Sequence, residues 1–207
     1  LDGGEALAML EHHHDLWLSA LVRDGEPWLA FGLAGVPLDK PAGRVPLAQG
    51  HALVVAALEL FLELARPDQI RMRHLLAEIP MNEFMARLAR RVPLQPCLDW
   101  QRDVSIDGLH IGIHPQHDDR VYVGAAAPLG RLDTAMLRGA AQLAREKGDG
   151  SLRFTPWQSL LLPNVRRADA DEVLAGLEGL GLLCSVEQPL AQLIACTGSS
   201  GCAKALA

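Results

Sequence analysis

Cysteine is scarce in this sequence, and we find no long apolar run in it. The 207 residues include only four cysteines, with no C-x2-C pair of the kind that zinc ribbons and dithiol redox sites use. Because no run reaches 18 apolar residues and the start of the chain lacks the pattern of a signal peptide, we expect no membrane span and a reduced, cytoplasmic compartment. A hydrophobic content of 49% suffices for one large or two small globular domains.

Positive charge is also in short supply. Lys and Arg number 19 against 25 Asp and Glu, which gives a formal net charge of -6. A nucleic-acid surface needs clustered positive charge, so we expect no nucleic-acid partner. Lysine occurs only at Lys40, Lys147 and Lys204, and the remaining basic residues are arginines, which suit bidentate binding of carboxylates.

Two blocks, joined near residues 92–105, can be traced along the chain. The first opens with two strand-like segments, LWLSALV and WLAFGLAG, separated by the turn sequence RDGE at 23–26. Alternating apolar residues on both sides of such a turn predict a β-hairpin.

Three helices are predicted after this hairpin. The Ala- and Leu-rich segment Leu47–Arg66, which Pro67 ends, predicts a mostly buried helix. Asp68 is expected to cap a second helix in QIRMRHLLAEI. After Pro80, MNEFMARLARR predicts a third helix with basic residues in its last turn, where the helix dipole favours them.

The second block predicts a sheet with two helices on one face. The strand-like segments HIGIHPQ and RVYVGAAAPLG flank a turn at 117–119, and Asp133 is expected to cap a helix over 134–147. The run SLRFTPWQSLLLPNV has strand character. The fold class predicted for the whole chain is α+β.

The end of the second block completes the pattern. Asp169 and Glu172 have the spacing of a capping box for a helix that extends to about Leu180, and LLCSV suits a last strand. The resulting order, β-α-β-α-β, is that of a split ferredoxin-like repeat.

Two groups of histidines are candidate metal ligands. Residues 12–14 are consecutive histidines, whose side chains point in different directions and cannot all face one ion. His110, His114 and His117 form a better cluster, because alternate positions of a strand share a face. Their only acidic neighbours are the turn residues 118–119, so we expect a solvated hairpin tip instead.

Cys196 and Cys202 form a C-x5-C pair in the sequence ACTGSSGCAKALA. The Gly and Ser residues between them allow a tight turn whose N–H groups point inward, as the sulfides of an iron–sulfur cluster require. Such clusters take about four thiolates, so we expect the chain to be a fragment that holds no intact cluster alone. Two buried or idle thiols are the alternative. Cys97 and Cys184 lie in apolar segments and are expected to be core thiols.

These segments resemble precorrin-3B synthase, a cobalamin-pathway family related to the sirohaem nitrite and sulfite reductases. PLGRL, RFTPWQSLLLP and ACTGSSGCAKALA are similar to the family's second ferredoxin-like repeat and cluster loop, and LDGGEAL, WLAFGLAG and RMRHLLAEIPMNEFMARL are similar to its middle domain. The resemblance implies a partial nitrite/sulfite reductase-like middle domain at 1–95, a ferredoxin-like half-repeat at 105–192, and the start of an iron–sulfur domain at 193–207.

The resemblance also implies a reaction and its residues. Cys196 and Cys202 would be two ligands of a [4Fe-4S] cluster, completed by a later C-x3-C pair. The reaction implied is the oxygenation of precorrin-3A to precorrin-3B, with the tetrapyrrole, dioxygen and an unidentified electron donor as partners. The resemblance places Arg131, Thr155 and Gln158 among the groups that face the substrate or an anion. Trp157 suits either a core position or a flat wall for a ring.

Two other functions stay open at this point. One is a sirohaem-dependent nitrite or sulfite reductase that uses the same cluster, and the other is a non-catalytic ferredoxin-like binding module with free cysteines. The first block has no Lys-x-Lys, and the TPWQ segment has no Arg-Gln pair. Because a reductase of small anions would favour such basic groups, the sequence favours the oxygenase.

Overall fold

The computed structural model describes residues 1–191, 193 and 195–205 of the chain. The chain divides into two compact units, Leu1–Ser105 and Ile106–Ala207. Each unit combines an antiparallel sheet with helices, which confirms the α+β class predicted from the sequence.

The sheet of the first unit has three strands in the order β1-β2-β3. They are β1 (His14–Arg23), β2 (Glu26–Gly35) and β3 (Gly43–Pro46). Strands β1 and β2 form the predicted hairpin, with Arg23 opposite Glu26. Asp24 and Gly25 close it with φ angles of 53° and 79°, a left-handed pair that fits the right-handed twist of the strands.

The helices of the first unit cover one face of this sheet. They are α1 (Gly50–Leu64), α2 (Met72–Leu76) and α3 (Met81–Leu88). Their apolar sides and the strands enclose one core, whose fully buried members include Phe31, Val45, Leu53 and Phe84.

The prediction that the first helix is mostly buried is wrong. Only one stripe of α1 is buried, at positions such as Leu53, Ala57 and Leu60, whereas Leu58 and Leu62 are exposed. The segment Leu47–Leu64 is also long and apolar enough to cross a membrane by length and composition, although charged residues interrupt its apolar sequence. A helix with one side packed in a globular core, as here, meets the same criterion of length and composition. The cytoplasmic location stays a prediction.

The cap predicted for the second helix is also wrong. Asp68 pairs with Arg66 at 3.3 Å and does not cap α2. The acceptor at this helix N-terminus is Asp15 of β1, whose Oδ1 accepts the Met72 N–H at 2.8 Å, while Arg71 Nε donates to its Oδ2 at 2.8 Å. A residue distant in sequence therefore satisfies the helix end, and local spacing cannot reveal it.

The sheet of the second unit has four antiparallel strands in the order β4-β5-β7-β6. They are β4 (Gly112–Pro115), β5 (Arg120–Ala126), β6 (Arg153–Phe154) and β7 (Ser159–Arg166). The helices α4 (Thr134–Lys147) and α5 (Ala170–Gly179) share a buried cluster with the strands. Asp133 caps α4 as predicted, since its Oδ1 accepts the Met136 N–H at 2.8 Å.

Two predicted strands of this unit differ in the structure. The run SLRFTPWQSLLLPNV is divided into β6 and β7 by a turn that contains Pro156, a residue without an N–H for a ladder. The segment LLCSV makes only one isolated bridge, between Leu183 and Ala126. It is not a strand, because a turn that closes from Gln188 N–H to Ser185 O follows at once.

The capping box predicted at Asp169 and Glu172 is absent. Asp169 accepts a hydrogen bond from Arg166 Nε at 2.6 Å, and Glu172 accepts one from Lys147 Nζ at 2.7 Å. Both carboxylates thus serve cations, and Asp169 makes no side-chain cap bond to α5, although the helix itself forms over the predicted residues.

Candidate functional site

The two cysteines of the C-x5-C pair lie on a tight loop. A single 3-10 turn, Gly198–Ser200, separates them, and Gly198 has a φ of 61°. The Cys202 N–H donates to Gly198 O at 2.9 Å, and the Gly198 N–H lies 3.4 Å from Cys196 Sγ. The loop therefore turns a backbone N–H toward a cysteine sulfur, as the sequence predicted.

The donor chemistry of this loop fits one half of an iron–sulfur site. Both thiols are exposed and free. Within residues 1–191, 193 and 195–205, no group of three or more His, Cys, Asp or Glu side chains could hold a metal ion. Cys196 and Cys202 can thus supply two thiolates of the usual four, and the described residues supply no others.

The other two cysteines are core residues, as predicted. Cys97 and Cys184 are 3% and 4% exposed. Burial raises the pKa of the Cys97 thiol, and burial together with nearby Glu178 raises the pKa of Cys184 to about 12. Because the thiolate is the metal-binding form, these two positions are unsuited to a cluster.

A polar turn, Thr155 to Ser159, joins β6 and β7. Thr155 Oγ1 lies 2.6 Å from Ser159 Oγ and accepts the Trp157 N–H at 3.2 Å. The Thr155 N–H donates to Ser159 O at 2.9 Å, and the Gln158 N–H donates to Thr155 O at 3.2 Å. The Thr155 side chain is thus occupied in holding the turn, and its predicted contact with substrate stays a prediction.

The structure brings Gln158 to the cysteine loop. Its Nε2 donates to the carbonyl oxygen of Ala195, the residue before Cys196, at 3.3 Å. Its side chain also abuts Gly130 in the 3-10 turn Pro128–Gly130. Two segments of the predicted site are therefore in contact through one amide side chain.

Arg131 lies at the end of that 3-10 turn. Its N–H donates to Pro128 O at 3.1 Å, and its side chain is exposed. It takes part in no ion pair formed by the described residues, so an anion could reach its guanidinium. The roles of Arg131 and Gln158 in substrate binding remain predictions.

His110 and Trp157 form an aromatic pair that the sequence did not reveal. Their ring centroids are 5.2 Å apart, and His110 is 7% exposed. Desolvation by burial, followed by the charge of His114, lowers the pKa of His110. The expectation of a solvated tip is therefore wrong for His110. No local signal could have shown the pairing, because it joins segments 47 residues apart along the chain.

The remaining histidines make no shared site. His114 Nε2 lies 2.7 Å from Ile111 O, and its ring tilts against Tyr122. His117 is exposed at the hairpin tip, as expected, and the histidines at 12–14 are exposed as well. The structure places none of them in a metal site among the residues it describes.

Comparisons with known proteins agree on one family. Residues 114–180, from β4 to just beyond α5, match the family model described as a nitrite/sulfite reductase ferredoxin-like half domain. The chain is 31% identical to a ferredoxin–nitrite reductase of Zea mays over 96% of this chain and 38% of the relative. It is 28% identical to a ferredoxin sulfite reductase of Mycolicibacterium paratuberculosis over 84% of this chain and 33% of the relative.

A solved structure shows the same fold. The NirA protein of Mycobacterium tuberculosis matches with a TM-score of 0.72 and 24% identity, over 90% of this chain and 36% of that one. At this identity the likeness concerns the fold alone. The chain thus spans between a quarter and two fifths of the length of the relatives it matches.

Proposed function

Because the chain carries a half domain of the nitrite/sulfite reductase ferredoxin-like family, we propose that it is part of a nitrite or sulfite reductase-type oxidoreductase. The observation that carries this proposal is the pair of exposed thiols, Cys196 and Cys202, on a tight loop held against that domain's Gln158. The sequence had favoured an oxygenase, and the comparisons give better support to the reductase.

In this proposal the two thiolates hold one side of a [4Fe-4S] cluster. Such a cluster accepts and donates single electrons, which amino-acid side chains do not do readily. The loop would orient both sulfurs toward the cluster, and its Gly198 N–H donates a hydrogen bond to Cys196 Sγ. Hydrogen bonds to the sulfurs are one of the means by which a protein sets a cluster's reduction potential.

The tetrapyrrole and the electron donor are further parts of the proposal. Sirohaem is the cofactor we propose beside the cluster, and its carboxylates would need guanidinium or amide donors. Arg131 is exposed and has no described partner, so it suits such a carboxylate. Ferredoxin is named in the relatives' own descriptions, and we propose it as the donor.

Oxygenation of precorrin-3A is the second candidate. One observation favours it: Trp157, stacked on His110, occupies the TPWQ turn without a neighbouring arginine. The turn thereby places an aromatic ring, and no guanidinium, directly before Gln158. The names of the relatives and of the family model do not mention this reaction, so it ranks below the reductase.

The experiment that separates the candidates uses the full-length protein purified without oxygen. Its absorption spectrum and extracted pigment report sirohaem, and its turnover of nitrite and sulfite is measured with reduced ferredoxin. Sirohaem together with turnover of either anion supports the reductase. A cluster without sirohaem, together with oxygen uptake that depends on precorrin-3A, replaces it with the oxygenase. A protein with neither cofactor contradicts both and leaves a binding module.

A further inference from the structure

The side chain of Gln158 connects the Thr155–Ser159 turn to the cysteine loop. Its Nε2 donates to Ala195 O at 3.3 Å, and the backbone carbonyl oxygen of Gln158 accepts the Ala127 N–H at 3.3 Å. Ala195 directly precedes Cys196 in the chain. A hydrogen bond to this carbonyl therefore fixes the orientation of the peptide group that joins Ala195 to Cys196.

The backbone of Gln158 is held in an unfavourable conformation. Its φ is 57°, in the left-handed region that a residue with a long side chain rarely adopts, and such a residue persists only where its surroundings determine it. The 3-10 turn opposite contains a second residue in this region, Leu129 with a φ of 54°, followed by Gly130 with a φ of 68°, which glycine adopts readily. The two turns thus bring the amide to one defined place.

Gly130 leaves the space that this amide occupies. A Cβ at Gly130 would overlap Gln158 Oε1 and lie 2.5 Å from its Cδ. The Oε1 atom is buried and has no hydrogen-bond partner among the described residues. Its NH2 group faces Ala195 O, because an oxygen turned to that carbonyl would repel it. A buried, unpaired acceptor costs free energy, so the amide's position is not explained by stability alone.

We propose that Gln158 is a positioning residue for the cysteine loop, which sets the direction of the Cys196 thiolate. This inference rests on the proposed function, because the thiolate matters as a cluster ligand only if the protein holds a cluster. This role is separate from the contact with substrate predicted for Gln158, which stays a prediction. Its NH2 group is engaged by Ala195, and its remaining acceptor is buried.

The first test needs no cofactor and uses the 207-residue chain. Hydrogen exchange of the amides at 197–202 is compared among the wild type, Gln158→Ala, Gln158→Glu and the control Gln142→Ala. Gln142 is exposed on α4 and donates to Glu146 at 2.8 Å, so it undergoes the same chemical change away from the loop. Loss of one hydrogen bond should speed exchange in both Gln158 variants by a factor of about 2 to 10. The Gln142 variant should match the wild type.

Gln158→Glu guards against a loss of folding. Its side chain has nearly the same size, but a carboxylate cannot donate to Ala195 O. Thermal unfolding of each variant is recorded alongside exchange. Faster loop exchange at an unchanged melting temperature in Gln158→Glu supports the inference. Exchange equal to the wild type in both Gln158 variants overturns it.

The second test uses the full-length protein prepared without oxygen. The release of iron to a chelator is timed in the wild type, Gln158→Glu and Gln142→Ala, and release from the Gln158 variant should be faster by a factor of about 2 to 10. Equal release from a protein that does hold a cluster overturns the inference and leaves the proposed function standing. A wild type without iron and sulfide overturns the proposed function itself and, with it, the cluster role of Gln158.

Discussion

The imidazole of His110 lies stacked on the indole of Trp157, with the ring planes inclined by 16°. Gly124 of β5 makes the close approach of the His110 backbone possible, since a Cβ there would overlap His110 O and lie 2.8 Å from its carbonyl carbon. This contact holds the Trp157 side of the turn, while Gln158 meets the cysteine loop. The turn is thus anchored at two neighbouring residues.

The stack predicts a dependence of stability on pH. Burial, and then the charge of His114, lowers the pKa of His110 in the folded state below its usual 6.5. Below about pH 6.5 the unfolded chain therefore binds more protons than the folded one. The stability that comes from burying His110 in its neutral form is complete above that pH and is lost as pH falls. His110→Phe should lose less stability than the wild type between pH 7.5 and 5, measured by urea unfolding.

The control for this prediction is His117→Phe at the exposed hairpin tip. It should retain the pH dependence of the wild type. The same dependence in His110→Phe and wild type would show that the buried imidazole does not titrate as its surroundings imply.

The four cysteines should differ in reactivity. Cys196 and Cys202 are exposed, whereas Cys97 and Cys184 are buried thiols with raised pKa values, about 12 for Cys184. Iodoacetamide at pH 8 should therefore modify the native chain at Cys196 and Cys202, and the other two only after denaturation. Mass spectrometry of digested samples measures this. Early modification of Cys184 would contradict the burial on which the assignment depends.

Asp15 should contribute to stability through the start of α2. Burial alone would raise the pKa of Asp15, but the hydrogen bonds from Arg71 and the Met72 N–H hold this pKa below its usual value. Asp15→Ala removes this cap and should cost about 0.5–2 kcal/mol in the free energy of unfolding. Asp68→Ala removes only an exposed ion pair with Arg66 and should cost clearly less than Asp15→Ala, because solvent screens such a pair. A larger loss for Asp68 would restore the cap predicted from the sequence.

The contrast between Asp15 and Asp68 shows which structural features could be predicted from the sequence. Features with local causes were predicted correctly: the hairpin around Asp24 and Gly25, the Asp133 cap of α4 and the two core thiols. Features that depend on distant partners were not predicted. Asp15 lies 57 residues from the helix end it caps.

The candidate site follows the same rule. The spacing of Cys196 and Cys202 was visible in the sequence, and the tight turn between them follows from its Gly and Ser residues. The bond from Gln158 to Ala195 and the stack of Trp157 on His110 were not visible, because tertiary packing creates them. The substrate-facing roles of Arg131, Thr155 and Gln158 came only from resemblance, and they stay predictions.

Arg131 provides a test of tetrapyrrole binding in the full-length protein. If its guanidinium binds a substrate or cofactor carboxylate, Arg131→Ala should weaken tetrapyrrole binding by about 1.5–3 kcal/mol with little change in melting temperature. Arg131→Lys should recover only part of the loss, because an ammonium cannot form a bidentate pair. Arg138→Ala, another exposed arginine of the same unit, is the control. A lowered melting temperature with unaltered affinity would make Arg131 a structural residue.

The cluster role of the two exposed cysteines is the central claim. Its most direct test is the iron and acid-labile sulfide content of the full-length protein prepared without oxygen, in the wild type and in single Cys→Ser variants. We predict about four irons and four sulfides per chain in the wild type, Cys97→Ser and Cys184→Ser, and loss of the cluster in Cys196→Ser and Cys202→Ser. Equal contents in all four variants, or a wild type without iron and sulfide, would contradict the claim.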